Sequence, residues 1–363
     1  MFRDPETAEP KAPMTEFGYW LSAEEHRPRG LVDNASRAEE LGFSFAMISD
    51  HFHPWIDAQG QSPFVWSVIG GIAATTERIA LATGVTCPLI RTHPSIVAHA
   101  AATCGSMLPG RFTLGLGTGE NLNEHVHGDR WPAPDERIEM LEEAIEVIRL
   151  LWEGGEQTHR GKHYTVDHAR IYTLPEEPVP IAVASAKPNA AELAGRLGDA
   201  LVNTVPDEEI VKIYRDAGGT GPLYGQVRLC WAEDEDEAKE TAFRLWRHTG
   251  LGGTINQELP RPSDFDAVAE SVTMEMATAE VPCGSDPEPV LEQIRAWEQA
   301  GFDHIALHQI GPDQEGFFRF WEQKLQPALD LNPVEGGPGA HGRFGSESLR
   351  FSSYATVSRL MAP

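Results

Sequence analysis

Short apolar runs alternate with amphipathic stretches about eight times across some 315 residues, and that alternation leaves few architectures open. FGYWLS (17–22) reads as a strand, and LVDNASRAEELG (31–42) as a helix closed at Gly42. FSFAMISD (43–50) is almost continuously apolar, as a strand buried on both faces is. A helix fits 65–76, a strand 78–85, a helix 94–108 opened by Pro94, and a strand 111–118. The stretch 135–155 is the longest helix, with apolar spacing of three and four and a double-glycine stop.

The second half repeats the scheme. Strands are expected at 180–186, 200–205 and 224–232, with helices starting near Asn189, Asp207 and Asp236. A helix over 286–301, an eighth strand at 304–310 and a helix over 314–329 follow. Eight strand–helix units in one α/β domain predict a closed (β/α)8 TIM barrel rather than an open sheet. Segments 119–134, 156–179 and 250–285 interrupt the alternation and are expected to be insertions serving as lids or subunit contacts. The barrel domain is placed at 16–330, between expected disordered ends at 1–15 and 331–363. The second end is rich in Gly, Ser and Pro and carries net charge +1, against −27 for the rest.

Charge excludes whole classes of partner. The chain has 29 Lys and Arg against 55 Asp and Glu, a formal net charge of −26. Nucleic acids and anionic membranes repel such a surface. No apolar stretch approaches the ~18 residues of a membrane span, and MFRDPETAEPKAPM lacks the apolar core of a secretory signal. A soluble cytoplasmic protein acting on a small molecule is the expectation. Only six lysines occur, which suits either a salt-rich cytoplasm or a GC-rich genome, and both readings stay open. Cys87, Cys104, Cys230 and Cys283 form no CxxC pair, so buried free thiols are expected rather than a zinc ribbon or disulfide framework.

Barrel enzymes build their sites at the C-terminal ends of the strands. After the second strand stands SDHFHPW (49–55), where His51 can accept a proton, Asp50 can orient its ring, and Trp55 offers an aromatic wall. After the fourth stands Gly115-Leu116-Gly117-Thr118-Gly119-Glu120, whose glycines suggest close approach of a ligand to the backbone, with Glu120 at the barrel mouth. Its GxGxGE spacing lacks a ribose-binding acid about 20 residues on, so it is not a dinucleotide fingerprint. Thr83–Thr86 is a small-residue bend, and Ala184-Ser185-Ala186 leads into a helix, a good place for a cofactor phosphate.

His51-x-His53, with His304 and His308 as completing ligands, has the look of a metallohydrolase site, and His125-x-His127 is a second pair. Yet His304 falls at the wrong end of its strand and no late Asp follows a strand, so no metal is expected.

SDHF-x-PW together with GTGE-x-LNE, supported by FGYWLSAEE, TGVTCPLIRTHP and VASAKPNAAELAGRLGD, resembles the luciferase-like barrels of the coenzyme F420-dependent group, near the glucose-6-phosphate dehydrogenase branch. The resemblance runs from about Phe17 to Leu329. It implies a 5-deazaflavin cofactor, His51 as the base for a substrate hydroxyl, Glu120 as a proton donor at the ring, and Trp55 as a stabiliser of the reacting pair. It also implies cofactor contacts from Asp50, the Gly84-Val85 bend (a non-prolyl cis peptide in relatives), Cys87, Gly119, Asn123, Ala184, Ser185 and Ala186. Glu24 matches a pocket acid, and a homodimer is the family habit.

Two departures bear on substrate. Pro206 stands where the sugar-phosphate branch has a Lys, and Glu280 where it has an Arg. A phosphate dianion beside Glu280 would be repelled, so a neutral alcohol, hydroxy compound or matching carbonyl is expected in place of glucose 6-phosphate. The competing readings are an FMN monooxygenase of the same superfamily, a metallohydrolase on His51 and His53, and a barrel that binds cofactor without catalysis.

Overall fold

The computed structural model describes residues 15–331, so the two expected disordered ends lie outside the described residues except for Thr15 and Leu331. Ten strands occur in it: β1 (Glu16–Leu21), β2 (Phe45–Ile48), β3 (Ala80–Thr83), β4 (Phe112–Leu116), β5 (Gln157–Arg160), β6 (Thr165–Ala169), β7 (Ile181–Ala184), β8 (Ala200–Val202), β9 (Leu223–Leu229) and β10 (His304–Gln309). Eight of them form a closed barrel in the order β1-β2-β3-β4-β7-β8-β9-β10, with β10 returning to β1. Every neighbouring pair in the barrel is parallel, including the closing pair, where Phe17 lies opposite Ile305. β5 and β6 form an antiparallel hairpin inside 156–179, a segment that reads in the sequence only as an interruption.

The period of two along each strand sorts its side chains into two layers. On β10, Ile305 and Leu307 point outward into the cluster that holds Phe317, Phe318 and Trp321 of the last helix. Ala306 points inward to a separate lumen cluster with Trp20, Phe45, Met47, Ala82, Ala182, Ala200 and Tyr224. The alanines make room for the large rings, so the lumen is filled rather than open.

The helices start where local chemistry dictates. Proline occupies the first turn of Pro28–Glu40, Pro94–Met107, Pro134–Trp152 and Pro188–Leu197, where its missing N–H is no loss. The Asp207 and Asp234 carboxylates accept from the first free amides of Glu208–Asp216 and Glu235–Trp246. The expected helix over 314–329 is not uniform: a π-helical turn, Trp321–Leu325, interrupts it where Trp321 stacks on Phe43 at 4.4 Å.

Several strands are shorter than their apolar runs, and β2 and β3 are trimmed at both ends. Ser49–Asp50, Gly84–Val85, Gly117–Thr118 and Ser185–Ala186 leave the regular strands and form the rim. The segment 250–285 folds into short helices, of which Pro262–Ala269 places Phe265 against Ile56 and Leu122 on that rim.

Candidate active site

His51 follows β2 and is held by two groups. Its Nδ1 lies 3.2 Å from the carbonyl oxygen of His53. A carbonyl only accepts, so Nδ1 carries a proton, and the ring turns Nε2 toward its second partner. Nε2 lies 3.5 Å from Oε1 of Glu24, a buried carboxylate in the loop after β1. The Ser49 hydroxyl donates to Glu24 Oε2 at 2.5 Å, and the Ser22 hydroxyl donates to the same oxygen at 3.2 Å. A proton taken up at Nε2 therefore lands beside a fixed negative charge.

This geometry corrects one expectation. Asp50 does not orient the His51 ring; its Oδ2 accepts from Thr86 Oγ1 at 2.8 Å and its Oδ1 from Arg91 at 3.0 Å. Arg91 also reaches Glu124, whose Oε2 accepts from the Ile90 and Arg91 amides. Burial raises the Glu124 pKa, and Arg91 with the two amides works against that rise. Beyond the end of β2, Ser49 turns to Glu24 while Asp50 turns to Thr86 and Arg91, so adjacency in sequence misleads about which acid meets the imidazole.

Glu120 begins the short helix Asn121–Glu124 after β4. Asn123, buried in the next turn, ties it to the histidine loop. Its Oδ1 accepts from the amides of Phe52 (2.9 Å) and His53 (3.2 Å), while its Nδ2 donates to Glu120 Oε2 at 3.3 Å. The loop of His51 and the Glu120 carboxylate thus share one rim, pinned through a single amide.

The glycines of the Gly115–Gly119 run have a different reason from the expected one. A Cβ on Gly117 would sit 2.8 Å from Val85 Cγ2, and one on Gly119 (φ +69°) would sit 2.5 Å from Cys87 Sγ. They admit the Thr83–Cys87 bend, in which the Gly84–Val85 peptide is cis, rather than space for a ligand. Cys87 is buried against them, and burial, with Glu124 adding to it, pushes its thiol pKa well above the ordinary value.

Trp55 is half-buried. It stacks on His248 at 5.2 Å and 16°, meets Phe265 edge-on at 5.5 Å, and stands 5.1 Å from the His51 ring. His248 is buried with Nδ1 unpartnered, and burial, aided by Arg228 and His51, holds its pKa well below 6.5. Behind it, Trp246 Nε1 and Gly311 N donate to Glu25, which also meets His308 Nε2 at 3.2 Å. Burial opposes ionisation of Glu25, but the His308 hydrogen bond and charge outweigh it and lower the carboxyl pKa. Sequence reading singled out neither His248 nor Glu25. For Glu25 the available signal was its place beside Glu24 in a strand-end loop.

At the end of β7, Ser185 Oγ is buried without a partner, and Ala184 and Ala186 flank it. The helix Pro188–Leu197 begins just beyond, and no side chain caps its first amides. Pro188 has no N–H and the Ala190 and Ala191 amides already donate to the Lys187 carbonyl, so an anion placed there would meet the positive end of the helix and an unused hydroxyl.

The remaining histidines disperse. His53 Nδ1 lies 2.9 Å from the Leu122 carbonyl, and His304 Nδ1 pairs with Asp303 at the start of β10. Among the described residues, no group of three or more His, Cys, Asp or Glu is placed to hold a metal ion. A cavity of about 890 Å3 opens at the opposite, N-terminal end of the barrel near Phe45, Leu108 and Tyr224. There Arg111 is spent on the Ile79 and Thr76 carbonyls and Asp199 accepts from Ile181 N, whereas His51 and Glu120 lie on the other rim.

Residues 14–304 match the family model described as luciferase-like monooxygenase. The chain belongs to the luciferase-like family. Among its relatives, the F420-dependent glucose-6-phosphate dehydrogenase of Microbacterium testaceum is 35% identical over 327 residues, covering 86% of this chain and 97% of that protein. The enzyme of the same name from Nocardia farcinica is 35% identical over 329 residues, covering 86% and 98%. Among solved structures, an F420-dependent secondary alcohol dehydrogenase in complex with an F420–acetone adduct superposes with a TM-score of 0.80 at 30% identity, covering 87% of this chain and 99% of that one. The coenzyme F420-dependent tetrahydromethanopterin reductase of Methanopyrus kandleri shares the luciferase-like fold, with a TM-score of 0.71 at 22% identity, covering 87% and 99%.

Proposed function

We propose that this luciferase-like barrel is a coenzyme F420-dependent dehydrogenase or reductase acting at a CH–OH carbon, with residues 16–330 as the catalytic unit. The observation that carries the reading is the Asn123 side chain, which holds the loop of His51 and the carboxylate of Glu120 on one rim. The unpartnered Ser185 hydroxyl beside the positive end of that helix fits the phosphate end of such a cofactor.

A bound deazaflavin supplies a two-electron hydride acceptor. The chain's own residues do the rest. His51 Nε2 takes the hydroxyl proton, and Glu24 stabilises the imidazolium that results. Glu120 would hold a proton for the cofactor ring, and Asp50, locked by Thr86 and Arg91, supports the Gly84–Val85 bend. Trp55, fixed by His248 and Phe265, walls the reacting pair off from water.

The substrate is an alcohol, hydroxy compound or matching carbonyl, and not glucose 6-phosphate. The exposed Pro206 and Glu280 stand where the sugar-phosphate branch has Lys and Arg, which supports this part of the reading. Kinship with the family supports a cytoplasmic homodimer, which light scattering on the purified protein checks. Titration with coenzyme F420 and with FMN, followed by an alcohol panel read as loss of deazaflavin absorbance, tests the whole. Tight binding of FMN alone, or robust saturable turnover of glucose 6-phosphate, would overturn the corresponding part.

A further inference from the structure

Arg228 is a cation inside the barrel for which the proposed mechanism has no use. On β9, Val227 and Leu229 point outward into the helix-facing core, whereas Tyr224 joins the lumen cluster. The period of two therefore turns Gln226 and Arg228 inward as well. Gln226 Nε2 contacts His308 Nδ1 at 3.2 Å, which agrees with that side. Arg228 is the penultimate residue of β9, opposite His308, so its side chain rises toward the catalytic rim. His248, the ring stacked on Trp55, feels the positive charges of both Arg228 and His51, which puts it within electrostatic reach of both.

Among the described residues, no hydrogen bond, ion pair or aromatic face engages the Arg228 guanidinium. Other arginines with little exposure are all occupied: Arg91 by Asp50 and Glu124, and Arg137 by the Pro132 carbonyl and Gln257. Nearby acids do not serve Arg228. Glu25 is taken by His308, Trp246 and Gly311, and the exposed Glu280 acts on Arg228 only through its charge, outside ion-pair distance. Arg228 is part-buried, burial disfavours its charge and lowers its pKa, and a bound anion would offset that cost.

We propose that Arg228 is the specificity-determining residue of the substrate pocket and pairs with the carboxylate of a hydroxy acid. This rests on the dehydrogenase reading above and narrows its substrate class. A single guanidinium offers the parallel N–H pair that matches one carboxylate and neutralises one charge. A phosphate dianion would leave a second negative charge unmatched near Glu24, Glu120 and Glu280.

The test uses pairs that differ only in the charged group: lactate against 2-propanol, 3-hydroxybutyrate against 2-butanol, and 4-hydroxyvalerate against 2-pentanol. With coenzyme F420 present, at least one hydroxy acid should exceed its uncharged partner in kcat/KM by 10-fold or more. Arg228→Met should remove about tenfold or more of that, chiefly through KM, and leave the uncharged alcohols within threefold. Arg228→Lys should recover part of the loss. Calorimetric titration of the three hydroxy acids into cofactor-free protein gives a second readout, in which binding should vanish in Arg228→Met. If coenzyme F420 is not bound at all, the function proposed above fails while this titration still judges Arg228. Equal loss on charged and uncharged substrates, unchanged hydroxy-acid binding in Arg228→Met, or an Arg228-dependent preference for glucose 6-phosphate over every carboxylate would overturn the assignment.

Discussion

Replacing Glu24 by Gln isolates one charge in the site. The amide keeps the size of the side chain, and its oxygen still accepts from the Ser49 hydroxyl, so packing around the loop after β1 is preserved. What disappears is the negative charge 3.5 Å from His51 Nε2. Two unit charges at about that distance attract by about 4 kcal/mol in an effective dielectric of 20. The Ser22 and Ser49 hydroxyls already draw on this carboxylate, so we take about half of that, ~2 kcal/mol, as the loss of stabilisation when the imidazolium forms. That corresponds to a fall in kcat of about 30-fold. Because the charge matters only once the proton has moved, KM for the alcohol should change little. Steady-state loss of deazaflavin absorbance at saturating alcohol gives kcat, and quenching of deazaflavin fluorescence checks that cofactor affinity is intact. A Glu24→Gln enzyme with kcat within threefold of the parent, while His51→Ala is inactive, would mean that Glu24 does not stabilise the protonated ring.

Three further outcomes follow from the same structure. Arg91→Met strands the buried Asp50 and Glu124 carboxylates and should cost about 3–5 kcal/mol in urea unfolding; a loss below 1 kcal/mol would show that neither acid depends on it. Ser185→Val removes the unpartnered hydroxyl and should weaken coenzyme F420 binding about tenfold without altering kcat, whereas unchanged affinity would place the phosphate elsewhere. His248 is neutral in the fold because its pKa lies well below 6.5, so below about pH 6.5 the unfolded chain takes up a proton that the folded chain refuses. Stability should therefore decline as pH falls from 7 to 5.5, by at most about 1.4 kcal/mol per pH unit from this group. His26, also lowered by burial, adds in the same direction. His248→Phe should flatten the slope, and parallel slopes in parent and variant would contradict the burial argument.

The barrel was legible in the sequence because its signals are local. Eight apolar runs with intervening amphipathic helices, prolines at helix starts and aspartates at caps each act within a few residues. The β5–β6 hairpin was not legible. QTHR alternates half-buried with exposed positions and TVDHA buries only Val166, and pairing with each other is what makes them strands. The rim loops were identified correctly as places, since a loop after a strand is placed by the strand itself. The partners inside those loops were harder to read. GTGE suggested room for a ligand, whereas the neighbouring bend fills that room.

The amino-acid sequence by itself determined the order of the elements, the class of the fold, and which strand ends present an imidazole, a carboxylate and an indole. Tertiary structure decided who meets whom: Glu24 rather than Asp50 at His51, Asn123 between His51 and Glu120, His248 behind Trp55, and no protein partner for Arg228. Those contacts join loops that are far apart in the chain, and their geometry follows from the register in which the parallel strands pair around the barrel. Periodicity along one segment carries no information about that register, because it is set by the packing of all eight strands at once.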